Sequence, residues 1–284
     1  MATVTIRPAT LDDAPIMQPI MFATVTAEDP PPAPEPLDAY FRHLVARGIV
    51  AIADEDGTPV GFGAAVDTGR SRHLADLFVL PDRQSHGIGR RLLDTVYQDA
   101  WPRTTFGSAD PRAVPLYVRA GMDALWPCLY LSGDPAVLPP VADDLKIEDA
   151  SGVDIAAIEA DWVGAARAPD LDYWASLPAV RVVVIRRGAR VVGTSIGRAR
   201  FNGVGRWMHH AVAAPGEDGL SVLLAAMRAC LDETEVGGGC VPGPSSLVRE
   251  LLRVGFRIVD QDTFLASDPS IVDAQREIVN TGFL

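Results

Sequence analysis

The same succession of predicted strands and helices occurs twice along this chain of 284 residues. In the first half, an apolar strand–turn–strand pattern at 48–66 is followed downstream by a helix that ends at Gly121. Residues 182–196 repeat the hairpin pattern, and a helix at 247–254 ends before Gly255. A period of about 135–140 residues indicates two copies of one domain, because solenoid repeats are much shorter. We predict two α/β domains, each a mixed sheet flanked by helices, packed as a pseudo-dimer.

A proline-rich, acidic segment separates the two copies. Residues 132–144 contain three prolines and three aspartates, a composition that favours an interdomain linker. We therefore predict a first domain at 1–131, a linker at 132–144 and a second domain at 145–284. The proline run at 28–36 excludes a helix or central strand, since most of its positions lack an amide donor. A stiff loop is expected there.

Composition and net charge indicate where the protein is located and which classes of partner it binds. No apolar run reaches the roughly 18 residues of a membrane span, and the N-terminus lacks the pattern of a signal peptide, so we predict a cytoplasmic location. The net charge of −12 disfavours nucleic acid and is compatible with a cationic substrate. Cys128, Cys230 and Cys240 are widely spaced and not grouped with histidines, so neither a disulfide framework nor a zinc site is predicted.

The most informative stretch is 79–93, where a strand leads through a tight turn directly into an amphipathic helix. Unpaired amides of a first helical turn point outward, and Gly87 and Gly89 let a phosphate approach the backbone. A Walker A loop would need lysine where this chain has Arg90, and a dinucleotide fingerprint would need a third glycine at Leu92. The pattern therefore predicts a pyrophosphate cradle of another kind.

Two motifs in this half resemble the GNAT acetyltransferase family. The string 84–89, Gln-Ser-His-Gly-Ile-Gly, follows a Val-Leu-Pro segment and is similar to the family's Gln/Arg-x-x-Gly-x-Gly/Ala motif. Residues 110–122 are similar to its Asn-x-x-Ala-x-x-Leu-Tyr-x-x-x-Gly-Phe segment, with Asp110 for Asn and Met122 for Phe. The motifs have the family's spacing, so the resemblance covers 3–131, with a weaker copy in the second half.

The resemblance implies acetyl-CoA as cosubstrate and no metal. The thioester arm would lie where two parallel strands part, against the backbone of Phe78, Val79 and Leu80. The N–H of Val79 or a neighbour would bind the developing oxyanion. Gln84 would begin the loop that holds the pyrophosphate. The backbone amides expected to hold it are those of His86, Gly87, Ile88, Gly89, Arg90 and Arg91.

The resemblance also implies roles for three side chains. Tyr117 would act as general acid on the departing thiolate, with a packing tyrosine as the alternative. The amine must lose a proton before attack, and Asp76, two residues before Phe78, is our candidate base; a salt bridge or strand-edge charge is the alternative. His73 is a poorer candidate. Asp110 occupies the position of an asparagine that holds the pantetheine, but an ionised carboxylate cannot donate, so a helix cap is the alternative.

The second copy lacks the chemistry of the first. Its equivalent of the pyrophosphate loop, 212–221, has no glutamine and carries two acidic residues that would repel a phosphate. Leu251 stands where the first copy has Tyr117. We therefore predict that the second domain has lost acetyl transfer. The adjacent histidines 209–210 face opposite sides of a strand and are not expected to chelate a metal.

We thus expect an N-acetyltransferase that passes acetyl from acetyl-CoA directly to a primary amine in a ternary complex. Tandem members of this family include the mycothiol synthases, and relatives use small-molecule amines, antibiotics and protein N-termini as acceptors. A small molecule is favoured because the added domain and the stiff loop can close over a cleft. The alternatives are an acyl-CoA-binding sensor or partner module without turnover, a protein N-terminal or lysine acetyltransferase, and transfer of a longer acyl group. We expect no nucleic-acid or membrane partner, and a monomer with pseudo-dimeric domains or a homodimer.

Overall fold

The computed structural model describes residues 3–24, 37–199, 205–231 and 234–284. The proline-rich loop predicted at 28–36 lies outside these ranges. Within them, thirteen strands form one mixed sheet, and helices cover both of its faces. None of the helices in these ranges is long and apolar enough to span a lipid bilayer.

The first half contains six strands and four α-helices in its described residues. The elements are β1 (Val4–Pro8), α1 (Ala14–Thr24), α2 (Asp38–Arg47), β2 (Ile49–Glu55), β3 (Thr58–Asp67), β4 (Arg72–Val79), α3 (Ile88–Tyr97), β5 (Arg103–Gly107), α4 (Ala113–Arg119) and β6 (Asp123–Gly133).

The second half repeats this order and ends with one additional short strand. The elements are β7 (Leu145–Asp149), α5 (Ile155–Val163), α6 (Ala168–Ser176), β8 (Val180–Arg187), β9 (Arg190–Ala199), β10 (Arg206–Ala213), α7 (Gly219–Leu231), β11 (Gly237–Pro242), α8 (Ser246–Arg253), β12 (Arg257–Ala266) and β13 (Glu277–Ile278).

The two predicted hairpins are confirmed. Strands β2 and β3 pair antiparallel and are joined by Asp56 and Gly57, both with positive φ, while β8 and β9 are joined by an equally short loop that contains Gly188. Two-residue loops with left-handed residues match the right-handed twist of the strands that they connect. The sequence therefore fixes these hairpins locally.

The apolar periodicity that predicted α3 also determines where the helix packs. Leu92, Leu93 and Val96 are buried against Val60 and Leu74 on one face of the first half of the sheet. Helices α1 and α2 cover the opposite face, in a core cluster that also contains residues of the second half. The first half of the sheet is thus buried on both faces, and the two halves share a core.

The two halves exchange strands in the middle of the sheet. The strand order is β1-β2-β3-β4-β5-β12-β6-β11-β10-β9-β8-β7, so β12 of the second half lies between β5 and β6, while β6 lies between β12 and β11. The long antiparallel pairing of β6 with β12 extends from Ser132 opposite Arg257 to Asp123 opposite Ala266. Strands from both sides of the predicted linker at 132–144 therefore belong to one sheet, and each half contributes a strand that pairs with strands of the other half.

The strand exchange also brings two cysteines together. Cys128 on β6 and Cys240 on β11 form a disulfide, whereas Cys230 is a buried free thiol. The prediction that no disulfide forms is wrong for this pair. Residues so far apart in sequence become neighbours because β6 pairs with β11 of the other half.

Candidate functional site

The two central parallel strands of the first half separate after a few residues. Strand β4 pairs with β5 only where Arg72 to Leu74 lie beside Arg103 to Thr105. The pairing of β4 with β3 then shifts register at Ala75, which is the geometry of a β-bulge. Beyond this point β4 continues to Val79 on the β3 side, while β5 pairs with β12. The predicted gap between two parallel strands is present.

The backbone of Val79 faces this gap. The N–H of Leu80 donates to Val60 O (2.9 Å) and its carbonyl accepts from the N–H of Arg83 (2.8 Å), so both backbone groups of Leu80 are used by the protein. Successive residues of a strand direct their N–H and C=O groups to opposite edges, which points those of Val79 into the gap. The side-chain amide of Gln84 donates to Val79 O at 2.9 Å. Gln84 thus ties the loop to the strand, and the N–H of Val79 remains directed into the gap.

The turn before α3 forms a cradle of free amides. Gly87 is the N-cap residue with φ 80°, and a side chain added there would meet no atom within 4 Å. No hydrogen bond among the described residues begins at the N–H of Ile88, Gly89 or Arg90. These amides lie at the positive end of a ten-residue helix. The open space, the free donors and the helix dipole fit a pyrophosphate group.

The charged side chains around this turn differ in where they point. Arg90 lines the cleft and is mostly exposed, with a loose contact to Asp94 (3.7 Å). Arg91 donates its backbone N–H to Gly87 O and its guanidinium to Val4 O, so neither group serves the cradle that we predicted it to join. His86 is exposed beside the turn. Arg90 is therefore the cation best placed to meet an anion on the cradle.

A cleft of about 1200 Å³ contains the gap and the cradle and is bordered by α4 and β12. Among its lining residues are the predicted Phe78, Val79, Gln84, Gly87, Gly89, Arg90, Asp110 and Tyr117. The wall that the sequence analysis missed consists of Asp260, Gln261 and Asp262 on β12. The second half therefore contributes side chains directly to the site of the first.

Tyr117 is a buried residue of α4. Only 7% of the residue is exposed, it lines the cleft, and no hydrogen bond among the described residues involves its hydroxyl. Burial raises the pKa of Tyr117 well above the ordinary tyrosine value, and the nearby carboxylates of Asp76, Asp110 and Asp262 raise it further. The phenol is therefore protonated at neutral pH, as a general acid must be.

Asp76 has the environment of a base rather than that of a structural ion pair. It lies on β4 opposite Ala64, on the same face as Phe78, and the hydroxyl of Tyr40 donates to its Oδ2 at 2.9 Å. Although part of the residue is exposed, burial of the carboxyl raises the pKa of Asp76 to about 6. No ion pair among the described residues includes it. The salt-bridge alternative is therefore not what the structure contains.

Two other polar residues of this region are held by protein contacts. Asp110 accepts the backbone N–H of Arg112 (2.8 Å) and pairs with its guanidinium, which lowers the pKa of Asp110. It is therefore an ionised acceptor that caps the turn before α4, not an amide-like donor. The ring of His73 is fully buried between Thr104 and the carbonyl of Thr281, and burial lowers its pKa to about 4. His73 is therefore neutral and structural.

Comparison with known proteins agrees with this geometry. A family model described as "Acetyltransferase (GNAT) domain" matches residues 46–121, which contain β4, the cradle and Tyr117. The chain contains a GNAT acetyltransferase domain.

Three solved structures resemble the whole chain. A putative acetyltransferase from Pyrococcus horikoshii superposes with a TM-score of 0.71 at 16% identity, covering 98% of this chain and 95% of that one. A tandem GNAT protein from the clavulanic acid biosynthesis pathway gives 0.63 at 16% identity, covering 94% and 100%. A GCN5-related N-acetyltransferase from Sphaerobacter thermophilus gives 0.60 at 13% identity, covering 93% and 95%. These likenesses concern the fold, and they confirm the prediction of a tandem GNAT architecture with a large mixed sheet.

In the second half the chain itself fills the gap that the GNAT domain leaves open. Strands β10 and β11 pair in parallel only over three residues from Arg206, as β4 and β5 do from Arg72. Beyond them, β13 pairs with β10, with Ile278 opposite Ala211. The carbonyl of Gln275 lies so close to the start of α7 that a side chain on Gly219 would overlap it. The segment around β13 thus occupies the place equivalent to the cofactor gap.

The side chains at the second gap are also buried. His210 is the equivalent of Asp76 just after the bulge in β10, and its Nε2 lies 2.9 Å from Glu159, with both residues wholly buried. Leu251, at the position of Tyr117, is also wholly buried. The described residues contain no group of three or more His, Cys, Asp or Glu side chains that could hold a metal ion. Loss of acetyl transfer in this half stays a prediction, and its filled gap supports it.

Proposed function

We propose that the GNAT domain transfers acetyl from acetyl-CoA to a primary amine of a small molecule by direct attack. The observation that carries this proposal is the buried hydroxyl of Tyr117, which lies in the same cleft as the amide cradle and has no hydrogen-bond partner in the described part of the chain. A binding module has no use for a desolvated phenol that stays protonated. A thiolate that leaves during transfer needs such a donor.

Each group then has one task in the reaction. The cradle at Gly87 and the cation of Arg90 hold the pyrophosphate, and the N–H of Val79 binds the oxygen that becomes negative when the amine attacks. Asp76 accepts the proton that the attacking amine loses, and Tyr117 donates one to the sulfur as the C–S bond breaks. Each charge that develops during the transfer is therefore stabilised or neutralised by a group that is already in position.

The surroundings of Asp76 favour a small-molecule acceptor over a peptide. The ring of Phe283 packs against Tyr40, with ring centroids 5.6 Å apart, and Tyr40 in turn bonds to Asp76. The end of the described chain thus covers the face of β4 that carries the base. A long peptide needs an open groove there, whereas a compact amine does not.

Thiol release from acetyl-CoA tests the proposal directly. We expect amine-dependent release with at least one class of small primary amine, and slower release with peptides that present lysine or a free N-terminus. Propionyl- and succinyl-CoA, run beside acetyl-CoA, determine the preferred acyl group. Tight CoA binding with no release on any amine, unchanged in Tyr117→Phe, would instead identify an acyl-CoA-binding module.

The acid limb of the pH profile tests Asp76. A base with a pKa of about 6 is increasingly protonated as the pH falls below that value, so we expect kcat/KM to fall about tenfold per pH unit there. In Asp76→Asn the limb should be absent. Measuring both proteins with one acceptor and taking the ratio of their rates removes the protonation of the amine itself. A ratio that is constant from pH 5 to 8 would contradict the role of Asp76.

A further inference from the structure

We propose that the acceptor carries a second positively charged nitrogen, which Asp262 of the exchanged strand binds while Asp76 serves the reacting amine. This inference rests on the proposed acetyl transfer. It assigns a substrate class, compounds with two separated cationic nitrogens, and makes a residue of the second half the determinant of specificity.

The strand exchange places Asp262 at the mouth of the gap. The last residue of β12 that pairs with β5 is Thr263, opposite Gly107. Asp262 and the two residues before it therefore extend past the end of β5, and all three line the cleft. Asp76 lies on the other side of the gap, on β4. The two carboxylates thus flank the place where β4 and β5 part.

Two of the carboxylates near Tyr117, Asp76 and Asp262, have no cationic partner among the described residues. Asp110 and Asp262 line the same cleft as Tyr117, and these two carboxylates and Asp76 raise the pKa of the Tyr117 phenol. Asp110 is paired with Arg112, but no ion pair among the described residues includes Asp76, Asp260 or Asp262.

Among the described residues, the hydrogen-bond partner of the Asp262 carboxylate is neutral. The hydroxyl of Tyr130 donates to its Oδ2 at 2.6 Å. Burial and the neighbouring Asp260 raise the pKa of Asp262, so its charge is destabilised in the absence of a counter-ion. A cationic ligand relieves this strain, because opposite charges attract strongly where water is partly excluded.

The phenol of Tyr117 connects this acidic wall to the chemistry. It is more than nine-tenths buried, has no hydrogen-bond partner among the described residues and lines the same cleft as Asp262. A ligand held by Asp262 therefore reaches the point of acetyl transfer. Strands β4 and β12 are two strand spacings apart, or about 10 Å, and each ammonium–carboxylate contact takes up about 3 Å. The remaining distance of about 4 Å between the two nitrogens fits an alkyl spacer of two or three carbons.

Matched amines test the inference. Thiol release is measured for propylamine, 3-amino-1-propanol and 1,3-diaminopropane, and for the longer pair butylamine and 1,4-diaminobutane. We expect kcat/KM for 1,3-diaminopropane to exceed that for propylamine by about 10- to 100-fold, which is the usual range for one charged hydrogen bond. The hydroxyl analogue should resemble propylamine, because it lacks the second charge.

Variants locate the second contact. Asp262→Asn should reduce the diamine advantage at least about tenfold through KM, and Asp260→Asn, at an exposed position, should reduce it less. Asp99→Asn, an exposed aspartate outside the cleft, is the matched control and should keep the full advantage. Equal kcat/KM for diamine and monoamine, or an advantage that survives in Asp262→Asn, would overturn the inference while leaving acetyl transfer intact. Absence of thiol release with every amine would overturn both proposals.

Discussion

Replacing Tyr117 by phenylalanine is expected to lower kcat for acetyl transfer by about 100-fold or more, with little change in acetyl-CoA binding. A positioned general acid contributes about 10²- to 10⁴-fold. Here the phenol is buried, so water does not readily replace it as the donor to the leaving sulfur. Its hydroxyl makes no hydrogen bond within the described ranges, so the variant should keep the stability of the parent protein. Steady-state kinetics, calorimetric titration with CoA and thermal unfolding measure the three quantities.

A second buried tyrosine provides the matched control. The hydroxyl of Tyr97 donates to Thr104 O at 2.8 Å inside the same half. Tyr97→Phe removes that bond and should cost about 1 kcal/mol of stability with kcat nearly unchanged. The two substitutions delete the same atom, so they separate a chemical role from a structural one. Loss of stability without loss of kcat in Tyr117→Phe would mean that the residue only packs.

Features set by neighbours in the chain were predictable from the sequence. The hairpin of β2 and β3 follows from a turn with left-handed residues at Asp56 and Gly57, and α3 follows from its apolar spacing and from Gly87. The same local logic located the amide cradle, whereas Tyr117 was identified by the resemblance of residues 110–122 to a motif of the GNAT family. Local periodicity reports the type of an element and the face that it buries.

The partners of the strands were not predictable in this way. Strands β6 and β12 have similar patterns, and nothing in either pattern states that each pairs with the other half. The acidic wall at 260–262, the disulfide between Cys128 and Cys240 and the filling of the second gap by β13 all depend on that pairing or on the return of the chain end. These contacts join residues far apart in sequence, which periodicity does not encode. The Asp-Gln-Asp string at 260–262 was the one available signal for the wall.

Replacing Gly87 by glutamate is expected to weaken CoA binding by at least about 100-fold. The residue has φ 80° and open space in front of it, so the new side chain projects beside the free amides of α3. A carboxylate about 4 Å from a phosphate costs several kcal/mol at an effective dielectric constant near 20. It also competes for the donors that the pyrophosphate needs. Calorimetric titration with CoA measures the loss, and the parent protein should bind one CoA per chain.

The stoichiometry is what makes this substitution decisive. Because β13 lies in the gap beside β10, the second half offers no alternative site, and the glutamate variant should lose the entire binding heat. Gly87→Gln is the control, since glutamine has the size of glutamate and meets the same left-handed backbone strain without a charge, and it should retain most of the affinity. Binding of two CoA molecules per chain would contradict the assignment of β13 as the occupant of the second gap. A glutamate variant that binds like the parent would place the pyrophosphate elsewhere than on the N-terminus of α3.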